Sequence, residues 1–299
     1  MKFLLTGTNG FIGSKLLSRM SSIYGEKNIV ILSSRPSSTF NTIVYDEFFN
    51  IPDHDKEKLK SIDVVIHVGA YTPKNSSQIN DLKGCNSNIF FTEFLLNLNI
   101  RNLKKIIYFS TLDVYECQGV ISEDSRVNPN SLYGMSKYYC ERLILEYSKQ
   151  HNIQCKILRV GHVYGPGEEN YQKLIPVSIK KISTGKMIEL WGDGNELRSY
   201  IYVDDVVSAC LNAIELNVNY ELFNIVSSKA ISILELLNII SLILDKPLLV
   251  KKIDCEYTPV NFTFNNTKMK RYLLDNETDI ISGLTKEIDT YGGVVENNF

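Results

Sequence analysis

Thr6-Gly7-Thr8-Asn9-Gly10-Phe11-Ile12-Gly13 constrains the fold of this 299-residue chain more than any other segment. It follows the short apolar run Phe3-Leu4-Leu5 and precedes Phe11, Ile12, Leu16, Leu17 and Met20 at roughly helical spacing. That pattern reads as strand, turn, helix. In such a turn the first glycine allows the tight bend and the second lets backbone approach a pyrophosphate. The third lets helix pack on strand, and the anion sits at the helix N-terminus, where free N–H groups and the positive dipole end favour it. The rest of the first half repeats the alternation. Ile29 to Leu32, Val64 to Val68, Ile106 to Phe109 and Lys156 to Leu158 each follow a helical stretch. This gives the fold class as α/β, a doubly wound parallel sheet with helices on both faces.

After Gly165 the pattern loosens. Ile175 to Ile182 reads as a helix, Met187 to Leu190 as a short strand, Asp204 to Leu216 as a helix returning to the sheet and Phe223 to Val226 as a further strand. Ile233 to Leu244 is an apolar helix that stops before Lys246-Pro247, and a last helix lies near Ile280 to Tyr291. The organisation expected is a dinucleotide-binding domain over 1–164 and about 199–228, with a smaller C-terminal substrate lobe over about 165–198 and 229–299.

Tyr133-Gly134-Met135-Ser136-Lys137 places a tyrosine four residues before a lysine. On a helix both lie on one face, so the ammonium can favour the ionised phenol and Tyr133 becomes an acid/base candidate. The bland alternative is a packed tyrosine beside a solvated lysine. Upstream, the buried strand from Ile106 to Phe109 runs into Ser110-Thr111. A doubly wound sheet puts its site residues there, outside the carboxyl ends of its strands. A hydroxyl at Thr111 can bond the same substrate oxygen as Tyr133.

Seven pieces in order now resemble the extended short-chain dehydrogenases/reductases of the nucleotide-sugar epimerase/dehydratase family, which have a Rossmann-like fold. They are the Gly7/Gly10/Gly13 turn, Asp63 to Ala70, Asn88, Ser110 to Tyr115, Tyr133 to Lys137, Leu158 to Gly167, and Gly192 through Arg198 to Asp205. The resemblance implies hydride exchange between nicotinamide and a sugar carbon, with a nucleotide-diphosphate sugar as substrate. Tyr133 moves the proton, Lys137 lowers its pKa and holds the nicotinamide ribose, and Thr111 orients the substrate oxygen. Cofactor contacts implied are Gly7, Gly10, Phe11, Ile12, Gly13, Gly69, Ala70, Asn88, Tyr133, Lys137 and His162. Substrate contacts implied are Thr111, Asp113, His162 and Arg198, with Arg198 on the diphosphate. No metal is implied.

The cofactor's identity rests on the end of the second strand, where an acid would bind the ribose hydroxyls of NAD and a base the extra phosphate of NADP. Leu32-Ser33-Ser34-Arg35 offers no acid there. Ser33 and Arg35 therefore point to NADP, with NAD the alternative if these residues only form a turn. Asp46 resembles the family's carboxylate beside the adenine.

Departures from the family pattern bear on the reaction. In the 4,6-dehydratases the threonine is followed by Asp and Glu; here Leu112 takes the first of those positions and Asp113 the second. Leucine transfers no proton, so dehydration is disfavoured. His162 replaces the usual asparagine, Ser199 an aspartate after Arg198, and Asn265 the aspartate of a later Asp-x-x-Lys stretch. The His162-to-Gly167 segment and Lys173 to Pro176 are similar to those of reductases of CDP-4-keto-dideoxyhexoses. The reading is an NADP-dependent 4-ketoreductase of a nucleotide-4-keto-6-deoxyhexose. An NAD-dependent nucleotide-sugar 4-epimerase is the alternative, and from another class a non-catalytic NADP-binding regulator. Trp191 is expected to pack beneath the lobe.

A net charge of −2 gives no polyanion signature, so nucleic acid is not expected as a partner. No run approaches membrane-spanning length and Phe3-Leu4-Leu5 is too short for a signal peptide, so no membrane partner is expected. Six scattered cysteines without a Cys-x-x-Cys read as reduced thiols of a cytoplasmic enzyme. A homodimer is expected through about Asn86 to Leu98 and Tyr133 to Ser148, using Phe90, Phe94, Tyr139, Leu143 and Tyr147.

Overall fold

The computed structural model describes residues 1–116, 119–169, 171–253, 261 and 263–295. The first half alternates strand and helix: β1 (Phe3–Thr6), α1 (Phe11–Tyr24), β2 (Ile29–Ser33), β3 (Asn41–Val44), α2 (Asp53–Leu59), β4 (Val64–His67), α3 (Leu82–Leu96) and β5 (Lys105–Thr111). It continues through β6 (Val120–Ile121), α4 (Leu132–His151), β7 (Gln154–Val160), β8 (His162–Tyr164), α5 (Leu174–Ser183), β9 (Ile188–Trp191), β10 (Leu197–Tyr202), α6 (Val203–Glu215) and β11 (Tyr220–Ile225). The chain closes with β12 (Ala230–Ser232), α7 (Ile233–Leu244), β13 (Val250–Ile253), β14 (Thr263–Phe264), α8 (Thr267–Tyr272) and α9 (Ile280–Val295).

Seven strands form one sheet in the order β11-β7-β5-β4-β1-β2-β3, and each pairing is parallel. The inner strands are buried on both faces, which is why they read as continuous apolar runs. Phe3, Leu5, Ile66 and Ile107 enter one core together with Leu16 and Met20 of α1 and Val206 and Ala213 of α6. Leu4, Val65 and Ile106, their neighbours in sequence, enter the opposite core with Leu95 of α3 and Ile144 of α4. The doubly wound architecture follows from that alternation. The chain order reverses between β1 and β4, so a crevice opens at their carboxyl ends, where such folds take their ligands.

Beside this sheet, β8, β10 and β12 form a three-stranded sheet, β9 pairs with β13, and α7 packs against both α5 and α9. Two departures from the sequence reading stand out. β3 escapes it because only Ile43 of its four residues is buried, as befits a short edge strand. Trp191 does not pack beneath the lobe; it ends β9 with 58% of its surface exposed. Cys85, Cys140, Cys155 and Cys210 are buried free thiols, while Cys117 and Cys255 lie outside the described residues. Among the described residues no helix is long and apolar enough to cross a membrane.

Candidate active site

The glycine turn brings the two central strands into contact. Gly7 has φ +75°, and a Cβ on it would lie 2.5 Å from the backbone nitrogen of Gly69, just beyond β4. A Cβ on Gly13 would lie 2.0 Å from the Gly7 carbonyl oxygen. Any side chain at these positions would fill the cradle or push α1 off β1. Gly10 is the N-cap of α1 and no side chain caps that helix. The first amides of α1, at Phe11, Ile12 and Gly13, are thus presented to an anion at the crevice. The residues fit a dinucleotide pyrophosphate, and Ala70 lies exposed on the same rim.

Asn88 is buried on α3 and ties down the segment after Gly69. Its Oδ1 accepts from the Tyr71 amide at 2.7 Å, its Nδ2 donates to the Tyr71 carbonyl at 3.3 Å, and the same Nδ2 donates to Ser136 Oγ at 3.2 Å. The residue thus shapes the crevice rim through Tyr71. Ser33 ends β2 and its hydroxyl accepts from the Arg35 amide, leaving Arg35 exposed at the crevice edge. Asp46 lies just beyond β3. Both carboxylate oxygens are occupied by its own turn, accepting from the amides of Phe48 and Asn50 and from Asn50 Nδ2. These bonds hold its carboxyl below the usual range.

Thr111 and Tyr133 converge at the carboxyl end of β5. Ser131 caps α4 through the Gly134 amide, and the first turn of α4 lies against the segment after β5. A Cβ on Gly134 would sit 2.4 Å from the Asp113 carbonyl oxygen, so glycine permits the approach that brings Tyr133 to Thr111. Thr111 Oγ1 accepts from the Asp113 amide and donates to Asp113 Oδ2, both at 3.2 Å. Asp113 is open to solvent on the cleft floor, and the protein around it raises its carboxyl pKa.

Tyr133 is buried, and its phenol is pushed well above its ordinary range by burial and then by the Asp113 carboxylate. Hydrogen bonding to Thr72 and Thr111 opposes that shift. The Lys137 Nζ donates to the Phe109 carbonyl at 2.6 Å and stands 4.4 Å over the Tyr108 ring. Burial lowers Lys137 to about 8, with Cys140 and Glu141 resisting, so it still carries its charge at neutral pH. That bond satisfies one of the three donors of the buried ammonium.

His162 opens β8 on the cleft side. His162 keeps exposed surface, yet desolvation by the protein packed around its ring, followed by the charges of Lys173 and Arg198, pushes it down to about 4, which favours the uncharged imidazole at neutral pH. Arg198 is braced by Glu196 at 2.8 Å and Lys173 by Glu168 at 2.9 Å. Sequence reasoning missed two contributors. Thr72 follows Gly69-Ala70-Tyr71 and carries no motif of its own, although its place just beyond a central strand is the available signal. Glu141 lies one turn after Lys137 and bonds Arg159 of β7 through two contacts of 2.9 and 2.6 Å. Arg159 in turn stands 4.6 Å over the ring of Tyr115.

Residues 3–226 match the model of the NAD dependent epimerase/dehydratase family. The chain belongs to that family. Curated members include the dTDP-D-glucose 4,6-dehydratase of Dictyostelium discoideum, 32% identical over 70% of this chain but only 54% of its own length. The dTDP-4-dehydro-6-deoxyglucose reductase of Escherichia coli is 28% identical over 86% of each chain. Among solved structures, the UDP-glucuronic acid 4-epimerase of Bacillus cereus, in complex with UDP-glucuronic acid and NAD, superposes with a TM-score of 0.83. It is 28% identical, over 98% of this chain and all of its own. Family members of these three kinds are NAD(P)-dependent enzymes acting on nucleotide sugars, and this chain is an enzyme of that family. Within it, Leu112 is a core residue, buried with Val114, Tyr115 and Val226 where a dehydratase would need a proton-transferring acid.

Proposed function

We propose that this family member reduces a nucleotide-activated 4-keto-6-deoxyhexose with NADPH. The end of β2 carries the reading: Ser33 and the exposed Arg35 take the place of the acid that selects NAD. A dinucleotide on the glycine cradle supplies the hydride. Tyr133 and, once its hydroxyl turns from Asp113, Thr111 hold the ketone oxygen, and Tyr133, kept protonated by its burial, donates its phenolic proton as the carbonyl becomes an alcohol. Lys137 holds the adjoining ribose with a charge retained at neutral pH. Lys173 and Arg198 supply the positive charge for the sugar diphosphate, since His162 is neutral. In chemical balance, one ketone, one reduced cofactor and one proton give one alcohol and one oxidised cofactor.

Fluorescence titration tests the cofactor assignment. Arg35→Ala should weaken NADPH by about tenfold to a hundredfold, as loss of a charge-assisted contact does, and leave NADH unchanged. Equal losses for both would remove Arg35 from the phosphate site. The second reading, an epimerase that retains NAD, is favoured by the structural likeness to an NAD-bound 4-epimerase.

We further propose a homodimer through α3 and α4. Phe90 and Tyr139 are more than half exposed there, and Leu82 and Met135 extend the apolar surface. Phe94 and Tyr147 contribute less, because Phe94 stacks on Phe49 at 5.2 Å and Tyr147 on His151 at 4.1 Å. Light scattering should give the mass of two chains; the mass of one would exclude the seam.

A further inference from the structure

His67 ends β4, directly opposite Thr6 at the end of β1, and is 1% exposed. Its Nδ1 lies 2.9 Å from Thr6 Oγ1 and its Nε2 3.0 Å from Thr92 Oγ1. The neighbouring bonds are all satisfied by one proton arrangement. In it Thr92 donates its hydroxyl to the Asn88 carbonyl at 2.8 Å and accepts from His67, whose Nε2 carries the hydrogen. Nδ1 is then the acceptor for the Thr6 hydroxyl, whose oxygen receives the Gly69 amide at 2.9 Å. From Asn88 the path continues through Nδ2 to Ser136 Oγ, which donates to the Tyr133 carbonyl at 2.8 Å. One end of this path is the glycine contact that cradles a pyrophosphate; the other is the backbone of the proton donor. Around the ring, β1 presents Thr6, α3 presents Phe91 and Thr92, β5 presents Tyr108 and α4 presents Lys137.

We propose that His67 is a positioning residue for Tyr133: a neutral imidazole in its Nε2–H form that joins the cofactor turn to the first turn of α4 through one directed hydrogen-bond path. It touches neither cofactor nor substrate. Its contribution is to hold the phenol at a set place relative to the dinucleotide, a fit in which small displacements are costly. Burial and the Lys137 charge support the neutral form by pushing the ring down to about 3. For the effect on turnover, the inference rests on the reductase reading above.

Two measurements test it. Nitrogen-15 NMR of the ring, assigned among the four histidines by loss of its signal in His67→Phe, needs no substrate. An Nε2–H tautomer at neutral pH is expected; an Nδ1–H tautomer or an imidazolium would overturn the path. The second compares His67→Phe, which keeps the ring but no nitrogen, with His67→Gln, which keeps one donor and one acceptor. His67→Phe should lower kcat with a 4-keto sugar nucleotide by about tenfold to a hundredfold. NADPH affinity should stay within about threefold, and His67→Gln should recover most of the loss. If His67→Phe matches or exceeds His67→Gln, the ring only packs and the proposal fails. Absence of turnover in the unaltered protein would instead count against the reductase reading, and the ring NMR then decides the path alone.

Discussion

Replacing Tyr133 by Phe should reduce turnover by about two to four orders of magnitude while leaving dinucleotide affinity nearly intact. The substitution removes one oxygen from a side chain that is already buried, so shape and packing at the head of α4 survive. What disappears is the proton. Asp113 cannot replace it, because its carboxyl is engaged by the Thr111 hydroxyl and backbone joins it to the same short segment. Lys137 is bound to the Phe109 carbonyl and supplies charge rather than reach. Steady-state rates and a cofactor titration on the same preparation separate the two effects. Unchanged turnover would remove Tyr133 from the chemistry.

The largest expected loss of stability is at Glu141. Its partner Arg159 has only 4% of its side chain exposed, and Glu141 itself only 5%. Glu141→Ala leaves a guanidinium buried between α4 and the sheet with no counter-charge, which costs about 3–5 kcal/mol. Urea denaturation should show that loss. The paired change Glu141→Leu with Arg159→Met removes both charges and should recover much of it, since a well-packed apolar pair avoids desolvation altogether. If the double variant is no more stable than the single one, the Arg159 contact over Tyr115 carries more of the energy than the ion pair.

The sheet and its switch point were legible because parallel strands buried on two faces leave uninterrupted apolar runs, and because one glycine turn marks the first βα junction. β3 was not, since a short edge strand with a single buried residue has no such run. The convergence of Tyr133 on Thr111 follows from a strand end and a helix start that spacing makes visible, whereas the bond of Lys137 to the Phe109 carbonyl does not, since a helix face does not reveal which carbonyl on another strand lies within reach. The exposure of Trp191 was not readable either, because its apolar bulk suggested burial. The pairs Glu141–Arg159 and Thr6–His67 join residues 18 and 61 positions apart, so only the folded topology brings them together.

Incubating the purified protein with NADPH and a nucleotide-4-keto-6-deoxyhexose, while following nicotinamide absorbance and the sugar product, tests the proposed function most directly. The expected result is one NADPH oxidised for each 4-hydroxy sugar formed, with the protein isolated free of tightly bound dinucleotide. Retained NAD, together with interconversion of 4-hydroxy epimers and no net NADPH consumption, would contradict it and establish the epimerase.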